Sequence, residues 1–126
     1  MNTPVLVIDN DLEFAFWLAR ALDCAGYQAF PANTLQDASI LLSEIPLNLG
    51  LLVLTGTPSE ADPFLARLRR QHRDLRVVSL LEDDEADDPA FLVDTHIQKP
   101  TGRTQYDLAE ILAVIDRMLA SEPVTH

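Results

Sequence analysis

The sequence Val5-Leu6-Val7-Ile8-Asp9-Asn10-Asp11 passes abruptly from apolar to polar and acidic residues. Its first four residues form a continuous run rich in β-branched side chains, which is typical of a strand covered on both faces. Beyond Asp11 the apolar residues recur at intervals of three and four as far as Ala25. This spacing predicts a helix, and Gly26 is a typical helix stop. Residues 5–26 are therefore interpreted as a buried strand followed by a helix.

Short apolar runs alternate with segments of helical period along the rest of the chain. Further strands are predicted at 27–30, which Pro31 would close, and at 49–54, 77–81 and 95–98. Helices are predicted at 35–42, capped by Asn33 or Thr34 and ending before Pro46, at 64–68 and at 108–119. Strands joined by single helices need crossover connections, so this alternation predicts a parallel sheet with helices on both faces.

The segment between the fourth and fifth strands departs from this alternation. Residues 82–88 read EDDEADD, six acidic residues in seven, and Pro89 follows. Mutual repulsion of the acids and the junction with proline disfavour a helix here. A Ca²⁺ loop is disfavoured too, because the run has no glycine for its turn. We therefore expect an acidic loop and a fourth helix that is short or missing.

Composition narrows the class of protein. The chain has 126 residues and a mass of 14.0 kDa, the size of one compact domain. Nine basic and twenty acidic residues give a net charge of −11, which disfavours binding to nucleic acid or an anionic membrane surface. The apolar runs are far shorter than the roughly 20 residues that span a bilayer. Cys24 is the single cysteine and is interpreted as a small core residue. One cysteine cannot form an internal disulfide, so a cytoplasmic location is expected.

Polar residues follow the predicted strands at one edge of the sheet, where open parallel sheets bind their ligands. Asp9, Asn10 and Asp11 follow the first strand, and Lys99 follows the fifth. Two carboxylates and a lysine can form a site for a hard cation or a phosphoryl group. The alternative is structural: Asp11 would cap the first helix while Lys99 neutralises Asp9.

Three motifs together resemble the receiver domain of bacterial response regulators: Ile8-Asp9-Asn10-Asp11, Gly26-Tyr27 and Lys99-Pro100. The resemblance covers residues 4–120, and we expect a receiver-like domain over 1–120 with a tail over 121–126. It implies a doubly wound, five-stranded parallel sheet of order 2-1-3-4-5, as in the flavodoxin-like folds. It also implies a cis peptide bond between Lys99 and Pro100.

In that family two acids after the first strand hold Mg²⁺ and an aspartate at the end of the third strand accepts a phosphoryl group. Asp9 takes the first acidic position, while Asn10 stands at the second with Asp11 beside it. The phosphoacceptor position falls on Val53 or Leu54, depending on the residue from which it is counted. Neither side chain can accept a phosphoryl group or ligate a metal, so at most weak Mg²⁺ binding is expected.

At the family's three remaining positions, this chain has the usual residue type once and a different one twice. A lysine ends the fifth strand, and Lys99 takes that place. A threonine or serine usually ends the fourth strand, where this chain has Leu81, and an aromatic residue usually stands where it has His96. The resemblance therefore implies a degenerate receiver whose fold is kept while its phosphotransfer chemistry is lost.

The functional hypothesis is an atypical receiver of a bacterial two-component or phosphorelay system that is not an enzyme. It would act by binding a kinase, a phosphotransfer protein or an effector domain, and a homodimer is a further option. Phe16 and Trp17 widen the apolar arc of the first helix and are candidates for the docking surface. The alternative for Trp17 is that it folds over the sheet edge, partly buried.

Two other functional hypotheses stay open at this level. A hydroxyl of Thr55 or Thr57 could be phosphorylated in place of an aspartate, or the chain could be a flavodoxin-type domain that binds a small ligand. Five of the nine basic residues lie in and after the third helix, with the acidic run 82–88 one strand later: Arg67, Arg69, Arg70, Arg73 and Arg76. This arrangement could orient a charged partner or a dimer, or be a solvated face with scattered ion pairs.

Overall fold

The computed structural model describes residues 3–44, 49–55, 61–72, 74–81, 94–100, 102 and 104–120. These residues form five strands: β1 (Pro4–Ile8), β2 (Gln28–Ala32), β3 (Leu51–Thr55), β4 (Arg76–Leu81) and β5 (Thr95–Gln98). They also form four helices: α1 (Leu12–Cys24), α2 (Leu35–Glu44), α3 (Ala61–Gln71) and α4 (Gln105–Ala120). No helix in these ranges is long and apolar enough to cross a membrane.

The strands form one parallel sheet in the order β2-β1-β3-β4-β5, which confirms the predicted fold class. One core layer lies between the sheet and helices α1 and α4, and it contains Val7, Phe14 and Ile115. The second layer lies on the other face, where Leu52 packs with residues of α2 and α3. The central strands β1, β3 and β4 are apolar at nearly every position because both of their faces are covered.

Both ends of α1 are fixed by local interactions. The Asp11 carboxylate accepts hydrogen bonds from the backbone N–H groups of Glu13 and Phe14, at 3.1 and 3.4 Å. Asp11 is therefore the N-cap, which confirms the structural alternative given for this residue. After the helix, Gly26 adopts φ +104°, a backbone conformation that residues other than glycine rarely adopt. The chain can then turn directly into β2.

Tyr27 ties this turn to the last helix. Its hydroxyl donates a hydrogen bond to the carboxylate of Asp116 on α4. Burial and this hydrogen bond raise the pKa of Tyr27 to about 12. The Gly26-Tyr27 motif thus both ends α1 and joins it to α4.

Two local predictions are wrong, and one lies outside the described residues. Pro31 does not close β2 but lies within it, because β2 is an edge strand and an edge tolerates a residue without an N–H donor. Cys24 is exposed rather than a core residue, because it lies on the opposite side of α1 from buried Leu22. The predicted acidic loop and missing helix fall in 82–93, outside the described residues, and stay a prediction.

His72, which follows α3, supports the start of the third strand. Its Nδ1 atom accepts a hydrogen bond from the backbone N–H of Leu49 at 2.8 Å. Burial lowers the pKa of His72 below its ordinary value of 6.5. The neutral imidazole is therefore the form that the folded protein prefers, because a protonated Nδ1 could no longer accept this bond.

This preference predicts a pH dependence of stability. As the pH falls below about 6.5, the unfolded chain takes up the proton before the folded chain does, so the contribution of His72 to stability is lost at lower pH. His72→Leu should lower the free energy of unfolding by roughly 1–3 kcal/mol at neutral pH and flatten its fall toward acid. Urea unfolding at several pH values tests this, with His96→Leu, at an exposed position, as the control. An equally steep fall in His72→Leu would contradict it.

Candidate functional site

The buried carboxylate of Asp9 is the centre of the site at the carboxyl end of the sheet. Asp9 is 1% exposed, and its two carboxylate oxygens accept hydrogen bonds from three donors. Oδ1 accepts from the backbone N–H of Asp11 at 2.8 Å. Oδ2 accepts from the hydroxyl of Thr55 at 2.5 Å and pairs with Lys99 Nζ at 2.9 Å. The carboxylate is therefore neutralised and hydrogen-bonded on both oxygens by residues of the chain itself.

The sheet register brings these residues together. β1 and β3 pair so that Ile8 lies beside Leu54, which places Asp9 and Thr55 at the same level one residue further on. Lys99 follows β5, and its backbone N–H donates to the carbonyl of Leu81 on β4 at 2.7 Å. This hydrogen bond continues the pairing of the two strands. Parallel strands end at one edge, so residues far apart in sequence converge there.

Lys99 is held on a second side by an aromatic ring. Its Nζ lies 4.5 Å from the centroid of the buried Phe14 ring, within the range of a cation–π interaction. The lysine side chain is 11% exposed and that of Asp9 is fully buried. A buried ion pair with additional partners of this kind is costly to break from one side, because the remaining charge stays out of water.

The third strand contributes a residue other than those predicted. Val53 lies in the core layer with α1, and Leu54 lies in the opposite core layer. The β3 residue that reaches Asp9 is Thr55, one position after Leu54. Counting from neighbouring turn residues missed it. Aligning the ends of the first and third strands would have found it, since Asp9 and Thr55 both follow apolar runs that pair in register.

The other predicted positions lie around the centre, and of them Asp11 bonds to Asp9 through its backbone N–H. Asn10 and Asp11 are exposed, and the Asp11 side chain is used as the cap of α1. Leu81 ends β4 and His96 lies in β5. Side chains alternate along a strand, so these two face the opposite layer from Lys99. The positions that the family fills with a threonine or serine and with an aromatic residue are thus taken by side chains directed away from Lys99.

The predicted cis bond before Pro100 is wrong. No peptide bond in the described ranges is cis, and the Lys99–Pro100 bond is among them. The trans form is the lower in energy for a bond to proline by about 0.5–1 kcal/mol. The Lys99 side chain reaches Asp9 with this bond trans, so the ion pair does not require the cis form.

The residues present do not fit a Mg²⁺ ion. Mg²⁺ takes oxygen ligands in an octahedral arrangement, usually including one or two carboxylates, and an ammonium group on the same carboxylate oxygen opposes it. Here Asp9 is paired with Lys99 and Asp11 caps a helix. Within the part of the chain that the structure describes, no three His, Cys, Asp or Glu residues are grouped to hold a metal.

No known family model matches the sequence, and no curated protein matches it. Solved structures do match its fold. The non-phosphorylated HemR receiver domain from Leptospira biflexa is 20% identical, with a TM-score of 0.74 over 99% of this chain and 100% of that chain. The orphan response regulator HP1043 of H. pylori is 19% identical, with a TM-score of 0.68 over 92% and 96%.

A third similar structure is an atypical orphan response regulator described as having a phosphorylation-independent regulatory mechanism. It is 19% identical, with a TM-score of 0.70 over 98% of this chain and 100% of that chain. These likenesses show that this chain has the fold of response regulator receiver domains. That fold is the one that the sequence motifs implied.

The Asp9–Lys99 pair makes a direct prediction for stability. Lys99→Met should lower the free energy of unfolding by about 3–5 kcal/mol, because it leaves a buried carboxylate without its counter-charge. Adding Asp9→Asn to this variant should restore most of the loss. Arg69→Met is the control: it removes an ion pair with Asp94 that is about one-third exposed and a hydrogen bond to the Leu75 carbonyl, and should cost no more than about 1–2 kcal/mol.

Urea unfolding of Lys99→Met, of Asp9→Asn and of the double variant measures the coupling of the pair. Equal losses for Lys99→Met and Arg69→Met would contradict the view that the site depends on the buried pair. So would a double variant that is less stable than Lys99→Met alone.

Proposed function

We propose that the chain is an atypical receiver domain that acts through protein–protein interaction without phosphorylation on aspartate. One observation carries this proposal. At the end of β3, where receivers have their phosphoacceptor aspartate, the residue that contacts Asp9 is Thr55. The proposal places a receiver domain over residues 1–120, a tail over 121–126, no enzymatic activity and a location in the cytoplasm.

The chemistry of the site supports loss of phosphotransfer. An acyl phosphate needs a carboxylate nucleophile, and the Thr55 hydroxyl is not one. The nearest carboxylate, Asp9, is buried and its Oδ2 atom is already bonded to both Thr55 and Lys99. Attack by Asp9 on a donor would require this ion pair to break inside the protein, which opposes the reaction.

The surface of α1 supports a role in binding a protein. Leu12 and Phe16 are one turn apart on α1 and are 41% and 56% exposed. Trp17 is half-buried, 5.5 Å from the Phe14 ring between centroids, and packs on the core. We therefore define the α1 docking surface as Leu12 and Phe16, together with the half-buried Trp17. A kinase, a phosphotransfer protein or an effector domain is the class of partner proposed.

Phosphorylation on a hydroxyl is the second candidate, since Thr55 faces the site. A phosphothreonine carries a charge of about −1.5 to −2. At Thr55 this charge would lie against the buried Asp9 carboxylate, and Lys99 supplies only one positive charge to offset both. The electrostatics oppose this modification. Thr57 lies outside the described residues.

The flavodoxin-type alternative shares this fold, so the architecture does not separate it from a receiver. A bound flavin would colour the purified protein. We expect no flavin absorbance, and a flavin spectrum that co-purifies with the chain would replace the receiver proposal.

Treatment with acetyl phosphate and Mg²⁺ tests the loss of phosphotransfer. We expect no phosphoryl adduct in the intact mass and no saturable Mg²⁺ response of Trp17 fluorescence. Thr55→Asp is the matched variant, since it returns a carboxylate to the end of β3 beside Asp9, and it should gain a Mg²⁺ response. An acid- and base-labile adduct on the wild-type chain would overturn the proposal, and an acid-stable adduct would favour Thr55 or Thr57.

Photo-crosslinking tests the α1 docking surface. Benzoylphenylalanine replacing Phe16 in the cells that make the protein should give a discrete protein adduct, because an exposed aromatic on an unpaired helix face is a typical interface anchor. Adding Leu12→Ser should abolish that adduct. The control site is Asp74, an exposed residue in the turn that precedes β4. The same adduct from both sites would contradict the assignment.

A further inference from the structure

A groove of about 300 Å³ lies between α2 and α3, on the sheet face opposite to α1. Its lining is half apolar and half polar: Leu35, Pro63 and Phe64, with Gln36, Ser39 and Arg67. The Phe64 side chain belongs to the second core layer and is 5% exposed, so it forms a fixed floor rather than a mobile wall. The groove is separate from the Asp9 site and from the α1 docking surface.

The size of the groove suits a side chain of a partner better than a small molecule. Sites for small molecules run from about 300 to 1,000 Å³, so this groove is at their lower limit. One or two apolar side chains fill such a volume, and an anchor of this kind in a pocket is the usual centre of a protein interface. Ile40 is 54% exposed and follows Gln36 by one turn, which extends the apolar surface along α2.

The charge beside the groove indicates the chemistry of that partner. Arg67 lines the groove, and Arg70 lies one turn further along α3; both are exposed. Neither forms an ion pair with any residue that the structure describes, whereas Arg69 pairs with Asp94. On a chain of net charge −11, this is a local basic edge on an acidic molecule. Such an edge attracts and orients carboxylates.

We propose that the α2–α3 groove docks an acidic segment of a second protein, with an apolar side chain in the groove and a carboxylate on Arg67. This inference goes beyond the function proposed above, because the two docking surfaces lie on opposite faces of the sheet. A domain that binds one partner through α1 and another through this groove links two proteins without any covalent chemistry. Arg67, one of the arginines in and after the third helix, thereby receives a role.

Selection of displayed peptides tests this proposal. Peptides with random acidic, neutral and basic positions are selected on the immobilised full chain, and those that combine acidic residues with one apolar anchor should be enriched. An enriched peptide, labelled with fluorescein, should bind at least about tenfold more weakly to Arg67→Glu. Arg20→Glu is the matched control, because it makes the same charge change at an exposed position on α1 and should leave binding unchanged.

Amide chemical shifts of the chain with this peptide should change at Gln36, Ser39 and Arg67. Phe16→Ser should leave peptide binding unchanged, because Phe16 lies on the other face of the sheet. The groove proposal can therefore fail while the α1 docking surface stands. Enrichment of basic or uncharged peptides, or equal affinity for Arg67→Glu and Arg20→Glu, would overturn the proposal. So would a dimer in sedimentation that Arg67→Glu dissociates, since the groove would then hold a second copy of the chain.

Discussion

The buried pair of Asp9 and Lys99 is the interaction on which the carboxyl edge of the sheet depends. Asp9 is fixed at the end of β1, Thr55 at the end of β3 and Lys99 after β5, so one carboxylate connects three strands. Its second oxygen accepts from the backbone of Asp11, whose own side chain begins α1. The same few atoms therefore join the sheet, the first helix and the site. Taking Lys99 away leaves the fully buried Asp9 carboxylate without its counter-charge.

The buried pair explains how a chain can have the receiver fold without the site that phosphotransfer needs. A receiver fold needs its central strands buried on both faces and its strand ends aligned, and β1, β3 and β4 meet that need with apolar residues at nearly every position. Phosphotransfer needs more: a free carboxylate and space for a cation beside it. In this chain the corresponding space is filled by internal bonds, which stabilise one arrangement. On the proposals made above, such a domain would act through surfaces on α1 and between α2 and α3.

Much of the fold could be predicted from the sequence because the signals for its elements are local. The β-branched run before Asp9, the cap at Asp11 and the stop at Gly26 each need only a few neighbouring residues. The position of Thr55 did not follow in the same way. Residues 51–54 are all apolar, and a strand buried on both faces lacks the alternation from which orientation is read. The groove and the exposure of Leu12 depend on how helices pack, which no short stretch of sequence encodes.

A crystal structure of the chain with Mg²⁺ and beryllium fluoride, a mimic of the phosphoryl group, tests the central claim most directly. The account predicts no beryllium fluoride at the carboxyl edge of the sheet, with Lys99 Nζ still about 2.9 Å from Asp9 Oδ2. Beryllium fluoride bonded to Asp9 or Thr55, with Mg²⁺ beside it and Lys99 turned toward the ligand, would contradict it.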